Sequence, residues 1–451
     1  MENMRNLLFA RALMGTSLGF HISYVAFGIG LPLLLFISEL LALKTGNDLY
    51  HRLARGWVRP MTVLFAIGAV SGTIISFELG LLWPRFMGFS GPMIGLPFWL
   101  EAFAFFVEAI FIGLYVYGED RLSRRALLFC TVPITIAAAA SAVAVISANG
   151  WMNSPAGFSL SNSVAPGARL AGVRPWRALA NGAWAHEALH GTLAAYAACS
   201  FAAAGVYAFR LLRGDDKALC RLGLTLCLAV GAVVVPLMLI TGDYSAVWVA
   251  HEQPAKLAAM EVVPNTVRGA PLIIGGWLDK RTNRVRYGLP VPKMLSLLAF
   301  HDPDARVQGL DAFAPALRPD ANKVHPFFDL MVFSFFVMLA PSFWFWIARW
   351  RKKGKGKGKG KDVFSSRRLL ISIIIASPFG LLAQEAGWMV TEFGRQPWMV
   401  YRVMNVSSGV TPRSVEWVFV LFALVYAALT AGLLRLLPAH GRIRDDKEGT
   451  C

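Results

Sequence analysis

A chain of 451 residues that is 56% hydrophobic and only 16% charged differs from soluble domains, in which about a quarter of the residues are charged. Its net charge of +17 raises the question of a nucleic-acid partner. A nucleic-acid-binding domain gathers its basic residues on one soluble surface, whereas here they lie in short segments between long apolar runs. The composition therefore argues against nucleic acid and favours an integral protein of the lipid bilayer.

The apolar runs predict about nine transmembrane helices of roughly 20 residues or more. The predicted spans are residues 15–40, 62–82, 96–118, 126–148, 187–212, 222–240, 326–348, 369–390 and 415–437. We therefore predict an all-α fold, a polytopic helix bundle in which residues 1–451 form a single integral membrane domain.

Lysine and arginine are concentrated in the segments after the first, third, fifth and seventh spans, which include the run RWRKKGKGKGKGKD. The positive-inside rule places these segments in the cytoplasm, with the N-terminus outside and the C-terminus cytoplasmic. Residues 350–367 are predicted to be a Lys/Gly-rich cytoplasmic linker. Residues 241–325 are predicted to be a long extracytoplasmic loop, and loops of that length are commonly functional.

The five cysteines do not form a metal or disulfide pattern. They are Cys130, Cys199, Cys220, Cys227 and Cys451, and none belongs to a CxxC pair. We expect neither a disulfide framework nor an iron–sulfur cluster. The N-terminus lacks a signal peptide with a cleavage site, so the first apolar run is expected to be retained.

Four spans carry a polar or sulfur side chain close to their predicted outer ends: His21, Glu101, His190 and Met331. At 1.5 Å per residue, each lies within about 9 Å of the outer surface. Taken alone, each has an ordinary explanation, such as packing for the methionine or a carbonyl partner for a histidine. Together they favour a cofactor, because haem iron takes His and Met as axial ligands, and we predict haems between these helices in the outer leaflet. His186 is a rival ligand, which we expect in the interfacial loop.

Longer stretches resemble subunit I of the cytochrome bd quinol oxidases over nearly the whole chain. These stretches are RALMGTSLGFHISYVAFGIGL, FELGLLW, PFWLEAFAFFVEAIFIGLYVYGEDRL, ANGWMNSP, HGTLAAY, QPAKLAAME and EAGWMVTEFGRQPW. The last two are the most specific, and the chain is also similar to the cyanide-insensitive branch. The resemblance implies a catalytic, haem-bearing subunit of a bacterial inner-membrane quinol:O2 oxidoreductase, which reduces O2 to water and generates a proton gradient.

The resemblance also implies cofactors and a partner. His190 and Met331 would be the axial pair of a low-spin haem b. His21 and Glu101 would each ligate one of two high-spin haems, namely a second haem b and an oxygen-site haem that is either d or a further b. Which residue serves which haem stays open. The implied partner is a membrane subunit II, and a small accessory subunit is compatible with the resemblance.

Further roles follow from the same resemblance. Lys256 and Glu261 in QPAKLAAME would bind and oxidise quinol, with a surface ion pair as the ordinary alternative. Trp388, Glu392 and Arg395 match a group near the haems; we assign Trp388 to cofactor binding, Glu392 to catalysis and Arg395 to both. Glu101 and Glu108 are expected to act in catalysis too. Glu108 lies seven residues after Glu101 on one helix face, where it would relay protons or, alternatively, be a structural carboxylate.

Two features depart from the family pattern. The family usually has Phe-Arg-x-Met around the methionine ligand, whereas this chain has Phe328-Asp329-Leu330-Met331. An anion in place of a cation should favour oxidised iron and lower its potential. The long loop also has the short form, without an extended C-terminal insertion.

Two other functions are compatible with parts of the sequence. A membrane haem b electron-transfer protein without oxygen reduction is the main alternative, because Asp329 indicates altered haem surroundings. A transporter whose carboxylates bind a coupling ion would predict discontinuous helices and inverted repeats, and the sequence has no visible repeat. The motifs favour the oxidase.

Overall fold

The computed structural model describes residues 2–161, 169–354, 362–413 and 415–440. Within these ranges, nine helical segments are long and apolar enough to cross a membrane. The prediction of an all-α bundle with about nine spans is therefore confirmed. Residues 355–361 of the predicted Lys/Gly linker, Cys451 and the C-terminal tail from residue 441 lie outside the described residues.

Helices account for most of the described chain. They are α1 (Glu2–Thr45), α2 (Asp48–Leu82), α3 (Pro84–Gly118), α4 (Arg124–Asn153), α5 (Pro175–Leu179), α6 (Trp184–Arg213), α7 (Lys217–Glu252), α8 (Pro254–Met260), α9 (Met294–Phe300), α10 (Ala321–Gly354), α11 (Arg367–Ala376), α12 (Phe379–Arg395), α13 (Val406–Gly409) and α14 (Glu416–His440).

Short antiparallel pairs join some of the helices. The strands are β1 (Ser159–Ser161), β2 (Arg169–Ala171), β3 (Val267–Arg268), β4 (Leu272–Ile274), β5 (Trp277–Asp279), β6 (Arg284–Arg286), β7 (Leu289–Val291), β8 (Arg306–Val307), β9 (Trp398–Val400) and β10 (Met404–Asn405). The pairs are β1 with β2, β3 with β8, β4 with β7, β5 with β6, and β9 with β10. Three of the pairs lie in the connection between α8 and α10.

Several helices extend beyond the apolar runs that predicted them. Helix α7 continues to Glu252, so residues 241–252 of the predicted loop are helical and the connection begins at Gln253. That helix ends where Pro254 follows, because a residue before proline is disfavoured in the α conformation. The predicted eighth span is likewise two helices, α11 and α12, separated at residues 377–378.

The residues at which the helices begin do not mark one common depth in the membrane. His21 lies 19 residues after the start of α1, or about 28 Å along the helix axis. His190 lies six residues after the start of α6, or about 9 Å. The polar first turns that lengthen α1 could not be recognised from hydropathy. The common depth of the four candidate ligands therefore stays a prediction.

The chain divides into two compact units. The first contains Met1–Met87, Phe103–Ala139 and Val410–Cys451, and the second contains Gly88–Ala102 and Ala140–Gly409. In the first unit, α1 packs against α2 and α14; in the second, α6 packs against α7, α11 and α12, and α10 packs against α12. Buried side chains from the connection, including Leu257, Leu278 and Leu310, form a hydrophobic core with Val249 and Val324. The connection is thus folded onto the second unit.

Candidate functional site

His21 on α1 is held against α2 through one ring nitrogen. Its Nδ1 lies 2.8 Å from Oγ of Ser71, and the Ser71 hydroxyl itself donates to the carbonyl of Ile67 at 2.9 Å. Because that hydroxyl has a single hydrogen, its oxygen accepts from His21 Nδ1–H, and Nε2 keeps its lone pair. Gly72 permits this approach, since a Cβ there would stand 3.1 Å from Cε1 of His21. Metal-binding histidines are oriented in this manner.

His190 on α6 repeats the arrangement against α7. Its Nδ1 lies 2.9 Å from Oγ1 of Thr241, whose hydroxyl donates to the carbonyl of Met238 at 3.3 Å. The next residue is again a glycine, and a Cβ at Gly242 would lie 3.6 Å from Cε1 of His190. The ring is therefore also fixed with its Nε2 lone pair available to a metal.

His186 was expected in the interfacial loop, and that expectation is wrong. It lies in the first turn of α6 and is buried, because its ring packs against Trp248 with centroids 4.8 Å apart. Its Nδ1 lies 3.0 Å from Oγ of Ser245, which donates to the carbonyl of Thr241 at 2.8 Å. Its Nε2 is buried and makes no hydrogen bond to any described residue. His186 therefore has the same ring orientation as His190 and stays a rival ligand.

Met331 on α10 faces a glycine on the neighbouring helix α12. A Cβ at Gly387 would lie 3.2 Å from Sδ of Met331, so the glycine allows the thioether to reach the α12 backbone. Helices α6 and α10, which carry His190 and Met331, both pack against α12. Trp388 follows Gly387 on α12 and is half-buried.

A buried hydrogen-bonded network joins three helices of the second unit. Glu392 and Arg395 on α12 form an ion pair of 2.7 Å, and Asn149 on α4 donates to Glu392 at 2.9 Å. Asn153 accepts from Arg395 at 3.3 Å and donates to Glu187 on α6 at 2.8 Å. The network thereby reaches within one turn of His190. Arg395 Nε is buried and has no partner among the described residues.

Lys256 on α8 interacts electrostatically with this network. It is 5% exposed, and its methylene chain passes over Gly394, where a Cβ would lie 2.8 Å from Cγ of Lys256. Burial and the nearby charge of Arg395 lower the pKa of Lys256 to about 8. The negative charges of Glu187 and Glu392 act in the opposite direction. Two buried cations therefore face two carboxylates, which is the charge balance that a buried ionic cluster requires.

Glu261 belongs to a different cluster. It is buried at the end of α8, and burial together with the charge of Asp329 raises its pKa to about 8. Asp329 accepts from the backbone N–H of Gly275 at 2.7 Å and lies 3.3 Å from Nε2 of His325. Glu261 Oε2 is buried without a hydrogen bond to any described residue. Since Lys256 and Glu261 are both buried, the alternative of a surface ion pair is wrong.

Asp329, which stands where the family usually has arginine, thus lies next to His325. Nδ1 of His325 lies 2.6 Å from the carbonyl of Met260, and its Nε2 lies 2.9 Å from the carbonyl of Gly275. Both ring nitrogens of His325 therefore lie within hydrogen-bond distance of a backbone carbonyl oxygen, which fixes the ring beside Asp329.

Glu101 and Glu108 both lie on α3. Glu108 belongs to a buried stripe on that helix together with Ala104, Ile112 and Tyr115, whereas Glu101 is half-buried. Glu101 falls within the second unit, as do His190 and Met331, and Glu108 falls within the first, as does His21.

Sequence reasoning missed the residues that connect the site. Glu187, Asn153 and Gln253 each lie in a recognised motif or beside one, but no role was assigned to them. Gln253 donates to the carbonyl of Asn153 at 2.9 Å. The spacing of Asn149 and Asn153, one helical turn apart, was the only signal that the two amides share a face.

The donor set fits haem iron better than a metal ion held by protein alone. Among the described residues, no three His, Cys, Asp or Glu side chains form a group that could hold a metal ion. Haem needs only one or two axial residues because the porphyrin supplies the other ligands. The oriented His21 and His190 rings meet that need.

Comparisons with known proteins identify the family. The model of the family "Cytochrome bd terminal oxidase subunit I" matches residues 9–442. A putative cytochrome bd menaquinol oxidase subunit I from Bacillus subtilis (strain 168) is 36% identical over 439 residues, which are 96% of this chain and 96% of the relative. A cytochrome bd ubiquinol oxidase subunit 1 from the same organism is 29% identical over 462 residues, which are 99% of this chain and 94% of the relative.

A solved structure matches equally well. The structure of bd oxidase from Geobacillus thermodenitrificans contains a chain with a TM-score of 0.89 and 32% sequence identity, covering 98% of this chain and 100% of that chain. The nine-helix likeness, taken over the described residues, defines a multi-pass membrane protein, and its oriented histidines fit haem iron. The chain belongs to the cytochrome bd terminal oxidase subunit I family.

Membership in this family confirms several of the predictions from the sequence. The recognised resemblance is confirmed, and the terminal oxidase is favoured over the electron-transfer alternative. The family implies haems, and a subunit I works with a subunit II. The haem types, the cyanide-insensitive branch, the domain limits and the individual site residues stay predictions.

Proposed function

We propose that this chain is the catalytic, haem-bearing subunit of a terminal quinol oxidase, which transfers electrons from quinol to O2 and forms water. The names of the relatives support quinol as the substrate class, since they are menaquinol and ubiquinol oxidases. The observation that carries the proposal is the electrostatic interaction of Lys256 with the buried hydrogen-bonded network. Lys256, one of the two residues implied in quinol oxidation, is attracted by Glu187, which lies in the helical turn before His190.

The proposed ligands divide between the two units. His190 and Met331 hold a low-spin haem b, and His21 and Glu101 each hold one high-spin haem, namely a second haem b and a haem d or further haem b. Support comes from the Nδ1 hydrogen bonds of His21 and His190 and from the approach of Met331 to Gly387. When bound, haem iron supplies the one-electron transfers and the oxygen-binding position.

The quinol end uses the two groups at the ends of α8. Lys256 binds a quinol oxygen by donating a hydrogen bond, and Glu261 receives the hydroxyl proton. A base near pKa 8 suits this transfer because it is part ionised at neutral pH and still basic enough to accept. The unpartnered Oε2 of Glu261 supports this role. The proton then leaves to the same side of the membrane.

Arg395 and Trp388 are proposed to contact the haems. The buried Nε–H of Arg395, which has no partner among the described residues, suits a propionate, since guanidinium binds carboxylates strongly. Glu392 holds the guanidinium in place through its 2.7 Å ion pair. The two residues therefore position one another on the last turn of α12.

Glu108 is proposed to deliver protons for water formation. Its place in a buried stripe of α3 and its seven-residue spacing from Glu101 support this role, since both side chains project from one helix face. In a Glu108→Gln variant, haems should stay bound and be reduced by quinol normally, while oxygen consumption slows. Full oxygen consumption would show that protons travel by another route.

The proposed setting is a bacterial cytoplasmic membrane, with the N-terminus outside and the C-terminus in the cytoplasm. Subunit II forms the membrane heterodimer, and a small accessory subunit could join it. Residues 253–320 would then lie on the outer side, where quinol releases its protons. Because the protons that form water come from the other side, turnover separates charge across the membrane.

The deciding experiment is a spectrum and an oxygen assay on the complex purified with subunit II. We expect a reduced-minus-oxidised spectrum with low-spin and high-spin haem, a change on adding carbon monoxide, and oxygen uptake driven by quinol. A low-spin spectrum without a carbon monoxide change or oxygen uptake would instead support the electron-transfer protein.

A further inference from the structure

The first unit contains a cluster of buried ionisable side chains that the proposed function does not use. Glu39 on α1 accepts a hydrogen bond at Oε1 from the hydroxyl of Tyr115 on α3. The same oxygen lies 2.8 Å from Nδ1 of His51 on α2. All three residues are buried, and Tyr115 is 0% exposed. We call Glu39, His51 and Tyr115 the buried triad.

The buried triad has unused hydrogen-bonding capacity. The second carboxyl oxygen of Glu39, Oε2, is buried and makes no hydrogen bond to any described residue, and the same is true of the neighbouring Ser38 hydroxyl. A purely structural carboxylate in an apolar interior would be expected to have both oxygens satisfied, because an unpaired buried polar atom costs free energy. The free oxygen indicates a group that exchanges a proton with water.

The triad lies close to one end of its three helices. Glu39 is six residues before the end of α1, His51 is three residues after the start of α2, and Tyr115 is three residues before the end of α3. At that end Arg55, one turn after His51, forms ion pairs with Glu119 at 2.6 Å and Asp120 at 3.1 Å. Surface carboxylates therefore stand beside the buried triad, and the positive-inside rule assigns this end to the cytoplasm.

Away from that helix end, the next buried carboxyl group on α3 is Glu108. Tyr115 lies seven residues after Glu108, which places both on one face about 10 Å apart along the axis. Both belong to the buried stripe of α3. A short chain of water can bridge such a distance between polar groups.

We propose that Glu39, His51 and Tyr115 form a proton-uptake path that leads from the cytoplasmic surface to Glu108. This path rests on the proposed oxidase function. His51 takes a proton from solvent at Nε2 and gives one from Nδ1 to Glu39. Tyr115 passes its hydroxyl proton toward Glu108 and recovers one from Glu39. Each group ends with the number of protons it started with. A flip of the His51 ring and a turn of the Tyr115 hydroxyl back to Glu39 restore the starting arrangement, so one proton moves inward per cycle.

The test uses the complex with subunit II in proteoliposomes and compares Glu39→Gln and Tyr115→Phe with the unaltered protein. We expect Glu39→Gln to slow oxygen consumption on the order of a hundredfold. Tyr115→Phe keeps the ring and should slow it about tenfold, since water replaces part of the phenol function. Haem content and anaerobic reduction by quinol should not change, and the solvent deuterium isotope effect on oxygen consumption should rise. Glu39→Asp should restore part of the rate.

Two control variants remove hydroxyls elsewhere in the two units. Tyr207→Phe acts on α6 in the second unit, and Thr135→Val removes the 3.0 Å bond to the carbonyl of Pro32 in the first unit. Both should keep full oxygen consumption. Full oxygen consumption by Glu39→Gln and Tyr115→Phe would overturn the proposed path. The path would also be overturned if oxygen consumption slowed only as much as haem content or anaerobic reduction by quinol was lost. If the unaltered complex fails to consume oxygen with quinol, the proposed function itself is wrong.

Discussion

His21 and His190 have the same local structure but different surroundings. Each donates from Nδ1 to a hydroxyl on the next helix, and a glycine follows that hydroxyl residue in the sequence. Near His21, one turn earlier on α1, Ser17 donates to the buried Glu78 at 2.8 Å. One turn before His190, Glu187 belongs to a network that contains two cations.

The comparison separates two requirements of a redox site. Orientation of an imidazole needs only a hydroxyl on one neighbouring helix and room for the ring beside it, and two helix pairs of this chain provide both. The charge surroundings need groups from several segments, because a buried cluster is stable only when its charges are balanced. The His190 side, which faces the folded connection, is the one with a balanced ionic network.

The largest expected effect comes from removing each histidine in turn. His190→Ala should abolish the low-spin haem signal together with quinol oxidation, whereas His21→Ala should remove a high-spin signal and leave the low-spin haem reducible by quinol. Reduced-minus-oxidised spectra of the two purified complexes measure this. An unchanged low-spin spectrum in His190→Ala would exclude His190 and implicate His186, whose buried Nε2 makes no hydrogen bond to any described residue.

The second prediction concerns the charge balance near His190. Lys256→Met leaves Glu187 and Glu392 with one cation, and breaking a buried ionic cluster costs about 3–5 kcal/mol. The thermal midpoint of the complex should therefore fall and quinol turnover should be lost. Lys293→Met is the matched control, because Lys293 pairs with Asp304 at an exposed site, where an ion pair contributes about 0–1 kcal/mol. Equal midpoints for the two variants would contradict a buried, balanced network.

The third prediction is a pH dependence of quinol oxidation. Glu261 accepts a proton only as the carboxylate, and burial with the nearby Asp329 raises its pKa to about 8. Below that value, kcat/KM should rise about tenfold per pH unit. Above it, kcat/KM should fall as Lys256 loses its charge, since burial lowers its pKa to about 8.

Glu261→Gln tests whether Glu261 causes the rise of kcat/KM with pH. In this variant kcat/KM should be low and should not change with pH below about pH 8. Asp304→Asn removes an exposed carboxylate of the same connection and should keep the full profile. Measurement between about pH 6 and 10 covers both limbs. A rising limb that persists in Glu261→Gln would assign the proton to another base.

Much of the fold and part of the site follow from the sequence alone. Spans of about 20 apolar residues reveal themselves through hydropathy, and His21 and His190 are conspicuous because imidazoles are rare in such spans. The supporting groups were missed because their partners are far apart in the chain; Asn153 and Arg395, for example, are separated by 242 residues. Hydropathy contains no information on such pairings. Helix ends were also missed, because turns with charged or polar residues extend α2 and α7, and a Gly- and Pro-containing segment extends α3, beyond the apolar runs.

The smallest expected effect tests the hydroxyl partners. Thr241→Val keeps the shape of the side chain but removes the acceptor for His190 Nδ1–H, which makes the imidazole a weaker donor to iron and favours the reduced form. Since one hydrogen bond contributes about 1 kcal/mol, the midpoint potential of the low-spin haem should rise by about 40 mV. Ser71→Ala should shift a high-spin haem instead.

Thr192→Val is the matched control for Thr241→Val. Thr192 lies on α6, two residues after His190, but its hydroxyl bonds to the carbonyl of Ala188 in its own helix, so its removal should leave both potentials unchanged. Spectroelectrochemical titration of the four complexes gives the comparison. If Thr241→Val and Ser71→Ala moved the same haem, or if Thr241→Val moved none, the two hydroxyls would not be orienting two separate iron ligands. Separate shifts would show that the same pair of residues, a hydroxyl followed by a glycine, serves two haems.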